Sequence, residues 1–304
     1  MGETIHQPGT VGQLIEECAG ELARAGVFFG HGTANAIDEA ASLVFHVAGL
    51  VHDAAAPAPY GLAVAPAVRD RVQELLAERI TERVPMPYLL REAWFAGLSF
   101  YVDDRVLIPR SPFAELVGAR FSPWLDLAAV TRILEIGTGS GCIAIACARA
   151  FPGARVDACD ISADALDLAC ANVRAHQLER RIRVLQSDLF GALRGEQYDL
   201  IVSNPPYVPS RVVDRLPAEL QAEPRLALDG GEQGLDVVAR ILHQAGQYLH
   251  KNGVLVVEVG DYKDELLQSF PDARFVWPQF ANGGCGVFVT QASDLRLISP
   301  RHGR

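Results

Sequence analysis

The sequence predicts an α/β protein with a mostly parallel sheet, preceded by a small helical domain. Two observations carry this. From Thr131 onward, short apolar runs (RILEI, RVDACD, RIRVLQSD, YDLIVSN and GVLVVEVG) alternate with amphipathic stretches such as ADALDLACANVRAH. Strands alternating with helices make parallel sheets covered on both faces. From Thr10 to about Arg83, by contrast, apolar residues recur at helical spacing. Late in the chain FVWP and CGVFVTQ read as two further strands. This makes a seven-stranded sheet, its last strand inserted antiparallel.

Taken in order, the helical stretches are VGQLIEECAGELARAGV, AIDEAASLVFHVAGLV and VRDRVQELLAERI, broken by GHGT and by the stretch from Pro57 to Pro66. They define an N-terminal helical domain over residues 1–84, assigned to partner recognition or packing. His46 and His52 fall on its second helix without carboxylate or cysteine company at ligand spacing, and read as surface or packing residues. In residues 85–110, aromatic and β-branched residues alternate around GLS and DD, which predicts a β-hairpin linking two domains. LIPRSPFAEL then ends an extended piece and starts a helix, with Ser111 as N-cap and Pro112 at the first helical position. The α/β domain occupies residues 111–292. Residues 293–304 read as a frayed, flexible tail.

The 304 residues, 49% of them hydrophobic, suffice for one large or two modest globular domains. The formal charge of −10 is spread along the chain, which argues against free DNA as a partner. Six cysteines show no CxxC pair and no zinc spacing, and most fall inside apolar runs, so most read as small buried hydrophobes in a reducing cytoplasm, with no metal site. The polar start MGETIHQPGT lacks the features of a signal peptide, and no apolar run approaches the ~20 residues of a membrane span. A cytoplasmic, soluble protein is expected. The sequence carries no signature of oligomeric state.

The first strand runs into EIGTGSG, Glu135 to Gly141, which opens the helix CIAIACARA. Its glycines allow a tight turn and close approach to a ligand, while the helix N-terminus offers unpaired N–H groups. The second strand ends in Asp160, beside Ile161, where a carboxylate can accept both hydroxyls of a ribose. The third ends in Ser187, Asp188 and Leu189, an acidic position suited to an exocyclic adenine amine. The fourth ends in SNPPYV, where two prolines fix two φ angles and remove two donors. Such strand ends line the crevice in which open α/β sheets bind ligands. The glycine loop with Asp160 fits nicotinamide cofactors and S-adenosylmethionine alike. A nicotinamide oxidoreductase would more often read GxGxxG and has no use for NPPY. A non-catalytic scaffold would often have lost Asn204 or the glycines.

Together GTGSG, the acidic residues after strands two and three, and NPPY after strand four resemble the class I S-adenosylmethionine-dependent methyltransferases that modify planar nitrogen. NPPY with EPRLALDGG and QGLD is similar to the branch that methylates glutamine side chains in proteins, over roughly residues 80–292. The resemblance implies a Rossmann-like fold and S-adenosylmethionine bound by Glu135, Gly137, Thr138, Gly139, Ser140, Gly141, Asp160, Ile161, Asp188, Leu189 and Asn204. It implies a catalytic turn of Asn204, Pro205, Pro206 and Tyr207: the Asn204 side-chain oxygen and Pro205 carbonyl accept the two amide hydrogens, and Tyr207 forms a flat wall. Two sibling families share this core, acting on peptide-chain release factors or on large-subunit ribosomal protein three. The release-factor branch usually reads PRPETE where this chain has PRSPFAEL. With EAWFAGLSFYVDDRVLIPRSP and TGSGCIAIA, this favours the ribosomal branch, the release-factor branch and, less so, a nucleic-acid amine methyltransferase remaining alternatives. Arg110 falls beside the expected crevice, either helping to close it or as a plain surface arginine.

Overall fold

The computed structural model describes residues 9–50, 59–281 and 283–295. His52, residues 1–8 of the polar start read as lacking a signal peptide, part of the Pro57–Pro66 break and tail residues 296–304 lie outside them. The chain divides into two compact units: one holds the chain up to Glu92 with Pro217–Ala222, the other holds Ala93–Leu216 and the chain from Glu223.

In the first unit α1 (Val11–Ala25) opens on a capping box, Thr10 with Gln13. α2 (Ala36–Ala48) is capped by Asn35, and α3 (Pro66–Thr81) starts on a proline. The apolar stripe Val11, Leu14, Ile15, Cys18 and Leu22 is buried against Leu43 and Val44 of α2 and Val72 and Leu76 of α3. A fourth helix, α4 (Met86–Leu90), occupies the start of the segment expected to be a hairpin. Pro85 and Pro87 already hold the φ that a first helical turn needs. His46 has a carboxylate partner after all, its Nδ1 lying 2.9 Å from Glu92 Oε2, a pairing that sequence spacing does not reveal. Arg79 is wholly buried. It donates to Glu39 Oε1 (2.9 Å), Glu219 Oε1 (3.3 Å) and the Phe28 carbonyl (2.8 Å). Glu219 also accepts the Phe28 N–H at 3.0 Å, so the Pro217–Ala222 segment supplies one of the two carboxylates on a buried guanidinium.

The second unit opens with a short antiparallel hairpin, β1 (Ala93–Phe95) and β2 (Leu98–Phe100). α5 (Phe113–Gly118) follows, starting one residue later than expected, because Pro112 is its cap residue; Ser111 Oγ accepts the Phe113 N–H at 3.1 Å. Then come β3 (Arg132–Ile136), α6 (Cys142–Ala150), β4 (Arg155–Asp160), α7 (Ala163–Ala175), β5 (Ile182–Gln186) and β6 (Tyr198–Ser203). Three single-turn helices, α8 (Ser210–Val213), α9 (Ala218–Gln221, within the first unit) and α10 (Arg225–Leu228), precede α11 (Asp236–Tyr248), β7 (Leu249–Glu258), α12 (Lys263–Ser269), β8 (Val287–Gln291) and α13 (Ala292–Leu295).

The sheet order is β5-β4-β3-β6-β7-β8, with β8 antiparallel to β7 and the other pairs parallel. Among the described residues the sheet therefore has six strands rather than seven. FVWP contributes one bridge, Val276 to Val289, with reciprocal bonds of 2.9 and 2.8 Å. Pro278, two residues beyond Val276, lacks an N–H and cannot extend the ladder. Strand residues alternate between two cores: Ile133, Val156, Leu200 and Val254 on one face, Leu134, Ile201 and Leu255 on the other. The chain after Gln291 is not frayed at its start, since α13 buries Ala292 and Leu295 in the second core.

Candidate active site

The glycine loop between β3 and α6 turns through left-handed backbone at Gly137 (φ 71°), Gly139 (φ 52°) and Gly141 (φ 80°), where a side chain would be strained. Two carboxylates fix it. Asp160, at the end of β4, accepts the Gly139 N–H at 2.9 Å and the Ser162 N–H at 3.0 Å. Glu135, the penultimate residue of β3, accepts the Thr138 hydroxyl at 2.5 Å and the Ala144 N–H at 2.9 Å. Burial pushes the Glu135 carboxyl up to about 8, opposed by those two hydrogen bonds and reinforced by the charge of Asp160. Burial likewise raises Asp160. Asn172 of α7 braces the loop from behind: its Nδ2 donates to the Ser140 carbonyl (2.8 Å) and the Tyr101 carbonyl (3.0 Å), and its Oδ1 accepts the Tyr101 N–H (2.9 Å). The exit of the hairpin and the glycine loop thus share one side chain.

These strand ends open on a cavity enclosing about 1250 Å³, its mouth included. Of the residues expected to form the site, Glu135, Gly137, Thr138, Gly139, Ser140, Asp160, Ile161, Asp188, Leu189, Asn204, Pro205 and Pro206 line it. Gly141 and Tyr207 do not. At Gly141 an added Cβ would meet Ala169 only at ordinary contact distance, so the left-handed φ of 80° rather than crowding calls for glycine there. The Tyr207 hydroxyl donates to Glu258 Oε1 at 2.9 Å, and its ring is wedged against the loop after β7, where a Cβ on Gly260 would come within 2.7 Å of it. Asp188 pairs with Arg240 at 2.7 Å; both are about half exposed, so the pair contributes little to stability.

Asn204 stands apart electrostatically. Its side-chain oxygen is buried and has no hydrogen-bond partner among the described residues. A buried amide oxygen left unpaired costs on the order of 1–3 kcal/mol, which a donor arriving in the cavity would recover. The turn behind it is packed tightly: a Cβ on Gly230 would lie 2.8 Å from the Pro206 carbonyl, so the glycine of DGG lets that loop close on the turn.

Further residues complete the walls. The strap Ile108–Ser111 lines the cavity, and Arg110 is part of it rather than a plain surface residue. Its guanidinium binds Glu223 with two bonds of 2.6 and 2.7 Å, and the Ile108 N–H donates to the same carboxylate at 2.9 Å. Pro224, Leu226, Ala227 and Val237 form an apolar side, with Leu226 57% exposed at the cavity. Sequence reasoning missed Glu223, Glu258 and Asn172. Glu258 ends β7 as Asp160 ends β4, so the rule that found Asp160 would have found it.

A family model described as "Methyltransferase small domain" matches residues 121–229. Three curated relatives carry the name "Ribosomal protein uL3 glutamine methyltransferase". That from Xanthomonas campestris pv. campestris is 47% identical, covering 96% of this chain and 94% of its own. Those from Xylella fastidiosa and Francisella tularensis subsp. tularensis are 45% and 42% identical, covering 94% and 96% of this chain and 91% and 93% of their own. Among solved structures, a methyltransferase from Pyrococcus furiosus is similar over 64% of this chain and 89% of its own, at 18% identity and a TM-score of 0.48. No helix among the described residues is long and apolar enough to cross a membrane.

Proposed function

The chain belongs to the ribosomal protein uL3 glutamine methyltransferase family, its α/β unit has the class I methyltransferase fold, and from that premise we propose that it methylates the side-chain amide nitrogen of a glutamine in uL3, in the cytoplasm, using S-adenosylmethionine. The buried, unpartnered oxygen of Asn204 in the cavity wall is the observation that carries this reading.

The residues present fit the cofactor. The glycine loop brings bare backbone to the cavity, and the Asp160 oxygens, each holding one N–H, keep lone pairs for ribose hydroxyls. Glu135 offers a buried carboxyl whose ionised form an incoming cationic amino group would favour, Ile161 an exposed apolar face to a purine, and Asp188 with Leu189 the acidic corner for an adenine amine. When bound, the cofactor supplies an electrophilic sulfonium methyl.

The chain's own task is to make a poor nucleophile react, because a glutamine nitrogen has its lone pair delocalised into its carbonyl. Asn204 Oδ1 accepts one amide hydrogen and the Pro205 carbonyl accepts the other. The two acceptors orient the nitrogen and stabilise the positive charge that grows on it during attack. Pro206 holds the Pro205 carbonyl stiffly. The proton leaves the nitrogen after the methyl has arrived.

The test is transfer of labelled methyl from S-adenosylmethionine to purified uL3 and to a purified release factor, with mass mapping, for wild type and Asn204→Ala. Label on a uL3 glutamine is expected, with a loss in Asn204→Ala on the order of 100-fold or more and little change in cofactor affinity. Label only on the release factor would move the enzyme to the sibling substrate. Full turnover by Asn204→Ala would overturn the assignment of the turn.

A further inference from the structure

Tyr207 ends the NPPY turn yet stands outside the cavity lining. What holds it is Glu258, the last residue of β7. In the parallel register Ser203 of β6 pairs with Val257, so Glu258 ends its strand level with Asn204. The carboxylate is buried, 5% exposed, and makes two hydrogen bonds to different parts of the chain. Oε1 accepts the Tyr207 hydroxyl at 2.9 Å, and Oε2 accepts the Ser111 hydroxyl at 2.5 Å. Ser111 lines the cavity at the end of the strap that carries Arg110.

The two ends of the turn are therefore fixed differently. At the near end, Ser203 Oγ donates to the Ile136 carbonyl at 2.8 Å, tying the end of β6 to β3. At the far end, Tyr207 is pinned by Gly260 at its ring and by Glu258 at its hydroxyl. Between these anchors lie two prolines with little torsional freedom. A shift at Tyr207 is thus passed to Pro205 and Asn204 rather than absorbed.

We infer that Glu258 is a positioning residue for methyl transfer: through Tyr207 it sets the place of the Asn204 and Pro205 acceptors, and through Ser111 it sets the cavity-lining strap against them. Tyr207 acts as a tether by its hydroxyl, not as a wall by its ring face. The inference rests on the proposed role of Asn204 and Pro205. Burial raises the Glu258 carboxyl, opposed by the bonds from Ser111 and Tyr207 and by the charge of Arg110, in keeping with a carboxylate enclosed on all sides.

The test compares Tyr207→Phe, Glu258→Gln, Glu258→Ala and the double variant Tyr207→Phe/Glu258→Ala, measuring kcat and KM for uL3, cofactor Kd and melting temperature. Tyr207→Phe, which deletes one oxygen and keeps the ring, is expected to lower kcat by about 10- to 100-fold with cofactor Kd unchanged, as a displacement on the order of 1 Å at reacting groups does. Glu258→Ala is expected to lose at least as much, and the double variant no more than Glu258→Ala alone, because the shared bond is already gone. Glu258→Gln keeps an oxygen for the Tyr207 hydroxyl and should recover most of the rate. Full kcat in Tyr207→Phe, or losses that add in the double variant, would overturn the inference. Should Glu258→Ala fail to fold, Tyr207→Phe and Glu258→Gln still decide it. Absence of glutamine label with wild type would instead overturn the proposed function and this inference with it, whereas wild-type labelling with an undiminished Tyr207→Phe overturns the inference alone.

Discussion

At the scale of single residues, Glu135 couples the site to pH. Its carboxyl, near 4.5 in the unfolded chain, is raised to about 8 by burial. The folded state therefore binds the proton more tightly, so this group's contribution to stability is complete below about 4.5 and is lost as pH rises through about 8. Within that window the slope from one such group approaches 1.4 kcal/mol per pH unit, a rough upper value. Glu135→Gln should flatten this dependence, which melting temperatures at the two ends of the window will report; an unchanged profile would show that Glu135 is not the group responsible. The place of Asn204 in the cavity wall was legible in the sequence because proline spacing and position at a strand end are local facts. The hydrogen-bond partner of Tyr207 was not, because Glu258 lies 51 residues away and is brought near only by the pairing of β6 with β7.

Among the elements, the parallel strands were readable from their apolar runs, since strands buried on both faces carry little else. What the pattern could not reveal was competition at the edges. Pro278 reduces FVWP to one bridge, and Pro85 and Pro87 turn the start of an aromatic-rich stretch into α4. The chain leaving the remaining hairpin, β1 with β2, is tied to α7 by Asn172, which satisfies both backbone groups of Tyr101 as well as the Ser140 carbonyl. Asn172→Ala leaves those groups without their partner, at roughly 1–3 kcal/mol for a buried group. The variant should melt lower and bind S-adenosylmethionine more weakly, because the glycine loop loses its brace. Unchanged cofactor affinity by calorimetry would mean that the loop holds itself.

On the scale of the whole molecule, the least legible feature was the membership of Pro217–Ala222 in the helical unit. Nothing in the periodicity of PAELQA signals that Glu219 will meet Arg79, 140 residues earlier. That meeting is energetically consequential, since removing one partner of a buried ion pair typically costs about 3–5 kcal/mol. Arg79→Met takes the buried cation from Glu39 and leaves Glu219 only its 3.4 Å pairing with Arg83, and should lower the melting temperature accordingly, while Arg71→Met, at an exposed pair with Glu74, should change it little. Equal melting of the two variants would place the stability of the helical unit elsewhere. The same arrangement bears on how such an enzyme can be recombined. The helical part cannot be exchanged as an N-terminal cassette: a chimera joined after Glu92 would pair a foreign helical core with the resident Glu219. A working hybrid has to inherit two separate stretches of coding sequence together.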